Sequence, residues 1–362
     1  MHTDLVDTVA QLEDCYERLA DARWITVDTE FMRERTYYPQ LCLVQLGIPG
    51  QAWCIDALAD ISLQPILELV CLSSSQRVLH AARQDLEIFF HLVGSFTSEL
   101  FDSQIAAALL GFDAQIGYAG LVKALTGIEL EKGYQRANWA SRPLPSPQLE
   151  YALDDVRYLS DLFPEILERL DTAGRLNWVI EDSARLLNRE LYITDPATAY
   201  LRIGQTRALN ANEQHIVRRL ARWREKLAQE LNRPRSWIAS DSTLIYMAQI
   251  KPDSLARLQK VKGISPELID KHGEDLLKAI EIDGDKDRIN LVEHPNPLTD
   301  QEQKRYRKLK ERLDQCAKSL GIHTPVLGTR KDVELLLRDK PGSILTEGWR
   351  REIIGEELLS IR

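Results

Sequence analysis

Cysteine is scarce: the 362-residue chain has five, Cys15, Cys42, Cys54, Cys71 and Cys316. The count is odd and no two stand as Cys-x-x-Cys. That argues against a disulfide framework or a thiolate zinc site, and for a reducing compartment such as the cytoplasm. No apolar run is long enough to span a bilayer, so no membrane segment is expected. Residues 1–10 carry Asp4 and Asp7 and lack the basic, then apolar, pattern of a secretion signal. Positive charge is also short, with a formal net charge of -9. If evenly spread, that would disfavour a nucleic-acid partner. It is not evenly spread: residues 1–200 hold 15 Lys and Arg against 30 Asp and Glu, whereas residues 201–280 hold 15 against 9. Residues 281–362 balance at 16 against 16. A basic segment suits a phosphate backbone and an acidic one suits metal ions. With 44% hydrophobic residues the chain is ordered and globular, and long enough for two or three domains.

One stretch organises the front half: Trp24-Ile25-Thr26-Val27-Asp28-Thr29-Glu30. Its aromatic and β-branched opening predicts a strand. Residues two apart on a strand share a face, so Asp28 and Glu30 project together. Adjacent anions repel unless a cation or a proton lies between them. Taken alone, the pair fits a solvated strand end as well as a metal site.

A helix is expected near residues 5–20. Residues 41–46 and 52–55 form apolar runs split by Gly47, Pro49 and Gly50, a hairpin signal. The first three strands thus read as a meander. Helix and strand then alternate: helix 63–72, strand 77–80, helix 81–92, strand 99–101, and helices 104–110 and 119–125. Asp102 or Ser103 is placed to cap the helix that follows it. Residues 131–147 are irregular, and a long helix runs from about Pro147 past Leu170. The pattern predicts an α/β domain over residues 1–192, with a mixed sheet and helices on its faces. A linker at 193–208, a helical domain at 209–283, a second linker at 284–297 and a second helical domain at 298–362 complete the chain. The two helical segments read as copies. Pro234 and Leu244 are spaced as Pro325 and Leu335 are, and Gly273-Glu274-Asp275-Leu276-Leu277 echoes Gly355-Glu356-Glu357-Leu358-Leu359.

Two further pieces bear on Asp28 and Glu30. Asp85 stands in the first turns of a helix after a short strand, a place where sites are often built but also where acids favour the helix dipole. Tyr151 and Asp155, at i and i+4, share one face of the long helix, while Asp154 is turned away. A phenol and a carboxylate one turn apart can jointly hold a water. Tyr-x-x-x-Asp alone is common.

Together these pieces, in this order, resemble the DEDD exonuclease superfamily, tyrosine subclass. The neighbouring residues are similar to ribonuclease D: Asp28-Thr29-Glu30-Phe31, Arg35 to Leu46, Leu79-His80-Ala81, Asp102 to Ala107, Asn138 to Leu144 and Tyr151 to Leu159. The 210–280 segment, with Trp223-Arg224 and His272-Gly273, resembles the helicase-and-RNase-D C-terminal domain; the 298–362 copy is more diverged. The resemblance implies a ribonuclease H-like fold followed by two small helical bundles. It implies a metal-dependent 3′-to-5′ exoribonuclease that releases 5′-mononucleotides and matures the 3′ ends of tRNA precursors and other small structured RNAs. Two divalent ions, Mg²⁺ or Mn²⁺, are implied as cofactors. Asp28 would serve both, Glu30 and Asp155 the one nearer the attacking water, and Asp85 the other. Tyr151 would orient that water. The implied partner is RNA with a free 3′ end, acted on by a cytoplasmic monomer.

Five residues are candidate substrate contacts. Phe31 either stacks on a terminal base or fills the core. Arg136, Trp139 and Arg142 touch the substrate or brace their loop, and Lys123 meets a phosphate. His80 reads as a supporting residue without a catalytic task. Two readings compete with the exoribonuclease. A DNA 3′-exonuclease would use the same carboxylates, and a non-catalytic RNA-binding scaffold would have no use for a repulsive acid cluster.

Overall fold

Nine residues of β-branched and aromatic bias give the strand that carries the two front acids, and the sheet grows to both sides of it. The computed structural model describes residues 5–97, 99–131, 133–281 and 297–361. Its strands are β1 (Leu5–Val6), β2 (Trp24–Met32), β3 (Gln40–Ile48), β4 (Gln51–Asp56), β5 (Gln76–Leu79) and β6 (Leu100–Asp102). They form one mixed sheet in the order β1-β4-β3-β2-β5-β6. The hairpin β3–β4 is antiparallel, with Leu46 opposite Trp53. β5 runs parallel to β2, Thr26 opposite Val78, and β6 runs parallel to β5. The expected helix at 5–20 is shorter than predicted. Leu5 and Val6 pair in parallel with Cys54 and Ile55 as an edge strand, and helix α1 is Val9–Ala20. The start is set at Thr8, whose N–H donates to the Gln11 side chain at 3.0 Å.

The other helices of this part are α2 (Gln64–Leu72), α3 (Arg83–Val93), α4 (Ser103–Leu109), α5 (Tyr118–Thr126), α6 (Ser146–Thr172) and α7 (Leu176–Arg185). Of the two candidates for capping α4, Asp102 does so, accepting from the N–H groups of Gln104 and Ile105. α6 presents a buried stripe of Ala152, Val156, Leu159, Phe163, Ile166 and Leu170 at helical spacing.

The chain divides into two compact units, residues 1–32, 41–189 and 297–362 in one and 33–40 and 190–296 in the other. In the first, the C-terminal segment builds helices α13 (Asp300–Leu320), α14 (Thr324–Leu327) and α15 (Arg330–Leu337) and a last helical stretch over 348–361. Its Leu309, Leu313, Leu345 and Trp349 are buried in the same cluster as Val78, Phe101, Phe163 and Val179. Trp349 stacks on Trp178 with centroids 4.2 Å apart, and Arg350 pairs with Asp182 through two contacts of 2.6 and 2.8 Å. Gly348, at φ +53, lies where a Cβ would meet the Glu181 carboxylate, so only glycine fits.

The second unit contains α8 (Ala211–Glu230), α9 (Arg235–Ile238), α10 (Asp241–Ile250), α11 (Leu255–Leu258) and α12 (Pro266–Ile280). The expected apolar stripe is there: Ile216, Leu220 and Leu227 are buried and Trp223 is partly so. Within the linker expected at 193–208, Pro196–Arg202 and Gly204–Ala208 are 3-10 helices, and Ala199 of the first and Ile203 between the two enter this core. The order of elements in the second unit recurs after Thr299: a long helix opened by a capping box, a one-turn helix, then a capped helix. The linker expected at 284–297 lies outside the described residues, Pro297 excepted.

Candidate active site

Strand alternation brings Asp28 and Glu30 to one face of β2, and helical spacing brings Tyr151 and Asp155 to one face of α6. Where the two meet, ligand oxygens of Asp28, Glu30 and Asp155 all lie within 4.8 Å of one another. What holds helix and strand together is the buried Thr26, whose hydroxyl lies 3.1 Å from the carbonyl of Gly47 and 3.0 Å from that of Val156. Val156 directly follows Asp155, so this contact sets the height of the carboxylate against the strand. A Cβ on Gly47 would collide with the Thr26 hydroxyl and stand 3.1 Å from the Val156 carbonyl. The close approach of β3 and α6 therefore requires glycine there.

Asp85 reaches the site from the start of α3. It is buried and accepts a 2.5 Å hydrogen bond from the Thr29 hydroxyl. The turn before α3 holds Ala81 at φ +57, unusual for a residue with a side chain. Asp102 compensates: its carboxylate accepts from the N–H groups of Ala81 (3.1 Å) and Ala82 (2.9 Å) as well as capping α4. One acid thus orders the turns that precede Asp85.

A cavity of about 210 Å³ opens on Asp28, Glu30 and Asp155, lined also by Thr29, His80, Tyr118, Gln135 and Tyr151; Asp85 stands behind Thr29, outside the lining. Burial, then the charges of Asp155, Asp85 and Glu30, pushes the Asp28 carboxyl well above the usual range. Burial, then Asp155 and Asp85, pushes Glu30 up to about 9. Asp85 rises to about 7, chiefly through burial, despite the Thr29 hydrogen bond. Asp155 also rises to about 7, through burial and then Asp154 and Asp85. The Tyr151 phenol is raised by burial and then by Asp155, so it is a neutral hydrogen-bonding group. Carboxylates packed this tightly hold protons unless cations replace them. An all-oxygen donor set fits hard divalent ions.

Tyr151 is half-buried beside Trp139 and Tyr134, with ring centroids 6.3 and 5.9 Å away. Asp154 is turned out of the site, 3.6 Å from Arg157. The substrate-contact expectations fare unevenly. Arg142 is a brace: Nε and Nη2 hold the Asp56 carboxylate at 2.6 Å each, and the Trp139 carbonyl takes Nη1. Trp139 is 2% exposed and packs in the core below the loop, so it too is structural. Lys123 is exposed and paired with Glu129. Arg136 is exposed and Phe31 half-buried. The sequence reading missed Thr29, Tyr118 and Gln135. Tyr118 lies in contact with His80, centroids 5.7 Å apart, and its hydroxyl donates to the Asp154 carbonyl at 2.8 Å. His80 itself lies 2.9 Å from both Ser103 Oγ and the Ile116 carbonyl. No residue spacing announces these three: Thr29 stands on β2 between the two acids, Tyr118 opens α5 and Gln135 lies in a turn, and only tertiary contact brings them to the site.

Residues 3–171 match the family model of the 3′-5′ exonuclease, and residues 213–280 match that of the HRDC domain. The chain is 35% identical to ribonuclease D of Gluconacetobacter diazotrophicus, over 99% of this chain and 92% of that one. It is 34% identical to ribonuclease D of Acidiphilium cryptum, again over 99% and 92%. Among solved structures it is similar to Escherichia coli RNase D, an exoribonuclease involved in structured RNA processing. The TM-score is 0.84 at 28% identity, covering 100% of this chain and 98% of that one. The catalytic core of RRP6 from Trypanosoma brucei matches at TM-score 0.61 and 25% identity, over 76% and 78%. Matched over nearly its whole length by these relatives, the chain belongs to the ribonuclease D family of 3′-to-5′ exoribonucleases.

Proposed function

We propose that the enzyme removes 5′-mononucleotides from RNA 3′ ends by two-metal-ion hydrolysis, and that its substrates are tRNA precursors and other small structured RNAs. The observation that carries the reading is the meeting of Asp28, Glu30 and Asp155 within 4.8 Å beside Tyr151. Two ions, Mg²⁺ or Mn²⁺, would neutralise the scissile phosphate and stabilise the attacking and leaving oxygens. In this reading Asp28 would serve both ions, Glu30 and Asp155 one, and Asp85 the other. The neutral Tyr151 phenol orients the attacking water by a hydrogen bond. Thr29 keeps Asp85 aimed, and Asp102 keeps the turn before α3 in place. Phe31, Arg136 and Lys123 are substrate contacts in this reading, Lys123 by exchanging Glu129 for a phosphate.

The basic 201–280 segment supports an RNA grip through phosphate and shape. Five buried cysteines, none in a disulfide, support a reducing cytoplasm, and the enzyme is taken to act as a monomer. No helix among the described residues is long and apolar enough to cross a membrane. The test is a time course on 5′-labelled single-stranded RNA with Mg²⁺ or Mn²⁺, beside EDTA and Asp28→Asn controls. The expected result is a ladder shortening from the 3′ end, absent in both controls. RNA left intact by the wild type would overturn the proposal.

A further inference from the structure

The second compact unit contains an open cavity of about 900 Å³ that the exonuclease chemistry does not use. Its wall carries four arginines, Arg33, Arg202, Arg224 and Arg235, against two acids, Glu34 and Asp241. The buried Glu225 behind the wall takes Arg235 at 2.5 and 2.7 Å, and with it counted the wall is still cationic. Arg224 is only 4% exposed. Its two hydrogen bonds, to the Ala239 carbonyl and the Asp241 carboxylate, both use Nη1. Its buried Nε has no partner among the described residues. A guanidinium offers five donors, and one kept from water with donors unused favours an anion. The serine hydroxyls of Ser236, Ser240 and Ser242 also line the cavity and add donors.

A flat aromatic surface accompanies the charge. Trp237 is 60% exposed on α9, the single turn that also supplies Arg235 and Ser236 to the wall. Cations for phosphate together with an open indole for a base are what single-stranded nucleic acid needs. A cavity of this volume also exceeds what one phosphate fills. Neither the exonuclease domain nor the HRDC domain supplies the wall by itself. Arg33 belongs to the loop that continues β2, the strand of Asp28 and Glu30, and that loop is held in the second unit. Tyr37 of the same loop hydrogen-bonds Glu225 and lies under Arg235, 4.7 Å from ring centroid to guanidinium carbon.

We propose that this cavity is a backbone subsite for single-stranded RNA, Arg33, Arg202 and Arg224 holding phosphates and Trp237 stacking on a base. The proposal rests on the exoribonuclease reading above. It is tested with the full-length protein and a short 5′-labelled single-stranded oligoribonucleotide, bound in EDTA so that the strand stays intact. Arg33→Glu with Arg202→Glu is expected to weaken binding about tenfold. The slope of log affinity against log salt should fall by about 0.7 for each phosphate that is no longer neutralised. Trp237→Ala is expected to weaken binding about tenfold with the slope unchanged, because stacking releases no counterions. All three positions are at the surface or rim, and unaltered thermal melts establish that the variants fold. Wild-type affinity and slope in the folded charge-reversal variant overturn the subsite. Displacement of the RNA by inorganic phosphate at matched phosphate concentration overturns its assignment to a strand. Failure of the wild type to shorten the same RNA with Mg²⁺ or Mn²⁺ overturns instead the reading on which the proposal rests.

Discussion

Asp155 and Glu30 are held where a carboxylate is costly to ionise. In the metal-free protein burial and neighbouring acids raise Glu30 to about 9 and Asp85 and Asp155 to about 7, against ordinary values near 4. The folded state therefore binds more protons than the unfolded chain from about pH 4 upward, and its stability falls as pH rises through about 7 to 9. Metal ions must displace those protons, so the stabilisation they give should grow over the same window. Melting curves from about pH 5.5 to 8.5, with and without Mn²⁺, should show the metal-dependent rise in Tm increasing with pH. A rise independent of pH would contradict the raised carboxyls. Asp155→Asn removes one buried anion. It should be more stable than wild type at about pH 8 without metal, by on the order of a few kcal/mol, so that it melts higher, and it should lose the metal response. Tyr151 separates binding from chemistry. Tyr151→Phe should keep the Mn²⁺-dependent melt while turnover on RNA drops on the order of a hundredfold, the usual weight of a positioned proton-handling group. A variant that loses both would make the phenol part of the metal cradle.

At the scale of elements, the site depends on how closely α6 approaches the sheet. Thr26, Gly47 and Val156 are the contact, and there is no room for a methyl group at Gly47. Gly47→Ala should destabilise by about 1–3 kcal/mol through overpacking and should lower turnover by displacing Asp155. Thr26→Ala removes the atom that the new methyl meets first. The double variant should therefore be less impaired than the two single effects added, measured as a double-mutant cycle in both Tm and turnover. Strict additivity would remove Thr26 as the sensor of that approach. The same elements show what the sequence can tell. β2 and α6 were legible because each carries a strong period, two for Asp28 and Glu30, near four for Tyr151 and Asp155. The periods alone left those acids as ordinary as any strand-end or helix-face carboxylate; the resemblance of the neighbouring residues to ribonuclease D singled them out. Thr26 and Gly47 were not legible as a pair, because a strand threonine and a hairpin glycine have ordinary local explanations, and only tertiary contact joins them. Arg142 was open for the same reason: an arginine in an irregular loop near a nuclease site can touch a phosphate or brace the loop, and only Asp56, far away in sequence, shows the bracing contact. Residues 196–208 looked like linker because a 3-10 helix lacks the period of an α-helix, although Ala199 and Ile203 are core.

For the whole molecule, the sequence repeat suggests two equivalent helical appendages, and the two copies have different surroundings. The first is a unit with its own core of Ile216, Leu220, Leu244 and Leu276. The second contributes Leu309, Leu313, Leu345 and Trp349 to the cluster that contains Val78 on β5 and Phe101 on β6. The contacts responsible are Trp349 against Trp178 and Arg350 against Asp182, between residues too distant in sequence for any local pattern to connect. A small domain attached by a linker can be damaged without harm to its neighbour, whereas a shared core cannot. Trp349→Ala should therefore cost about 3–5 kcal/mol, as a buried aromatic truncation does. The cost should be felt beyond the helix that bears it. Amide hydrogen exchange should quicken in β5 and β6 together with α13, while α8 and α12, in the other unit, keep their protection. Exchange that quickens only within residues 300–361 would mean that the C-terminal helices fold as an independent domain beside the exonuclease sheet.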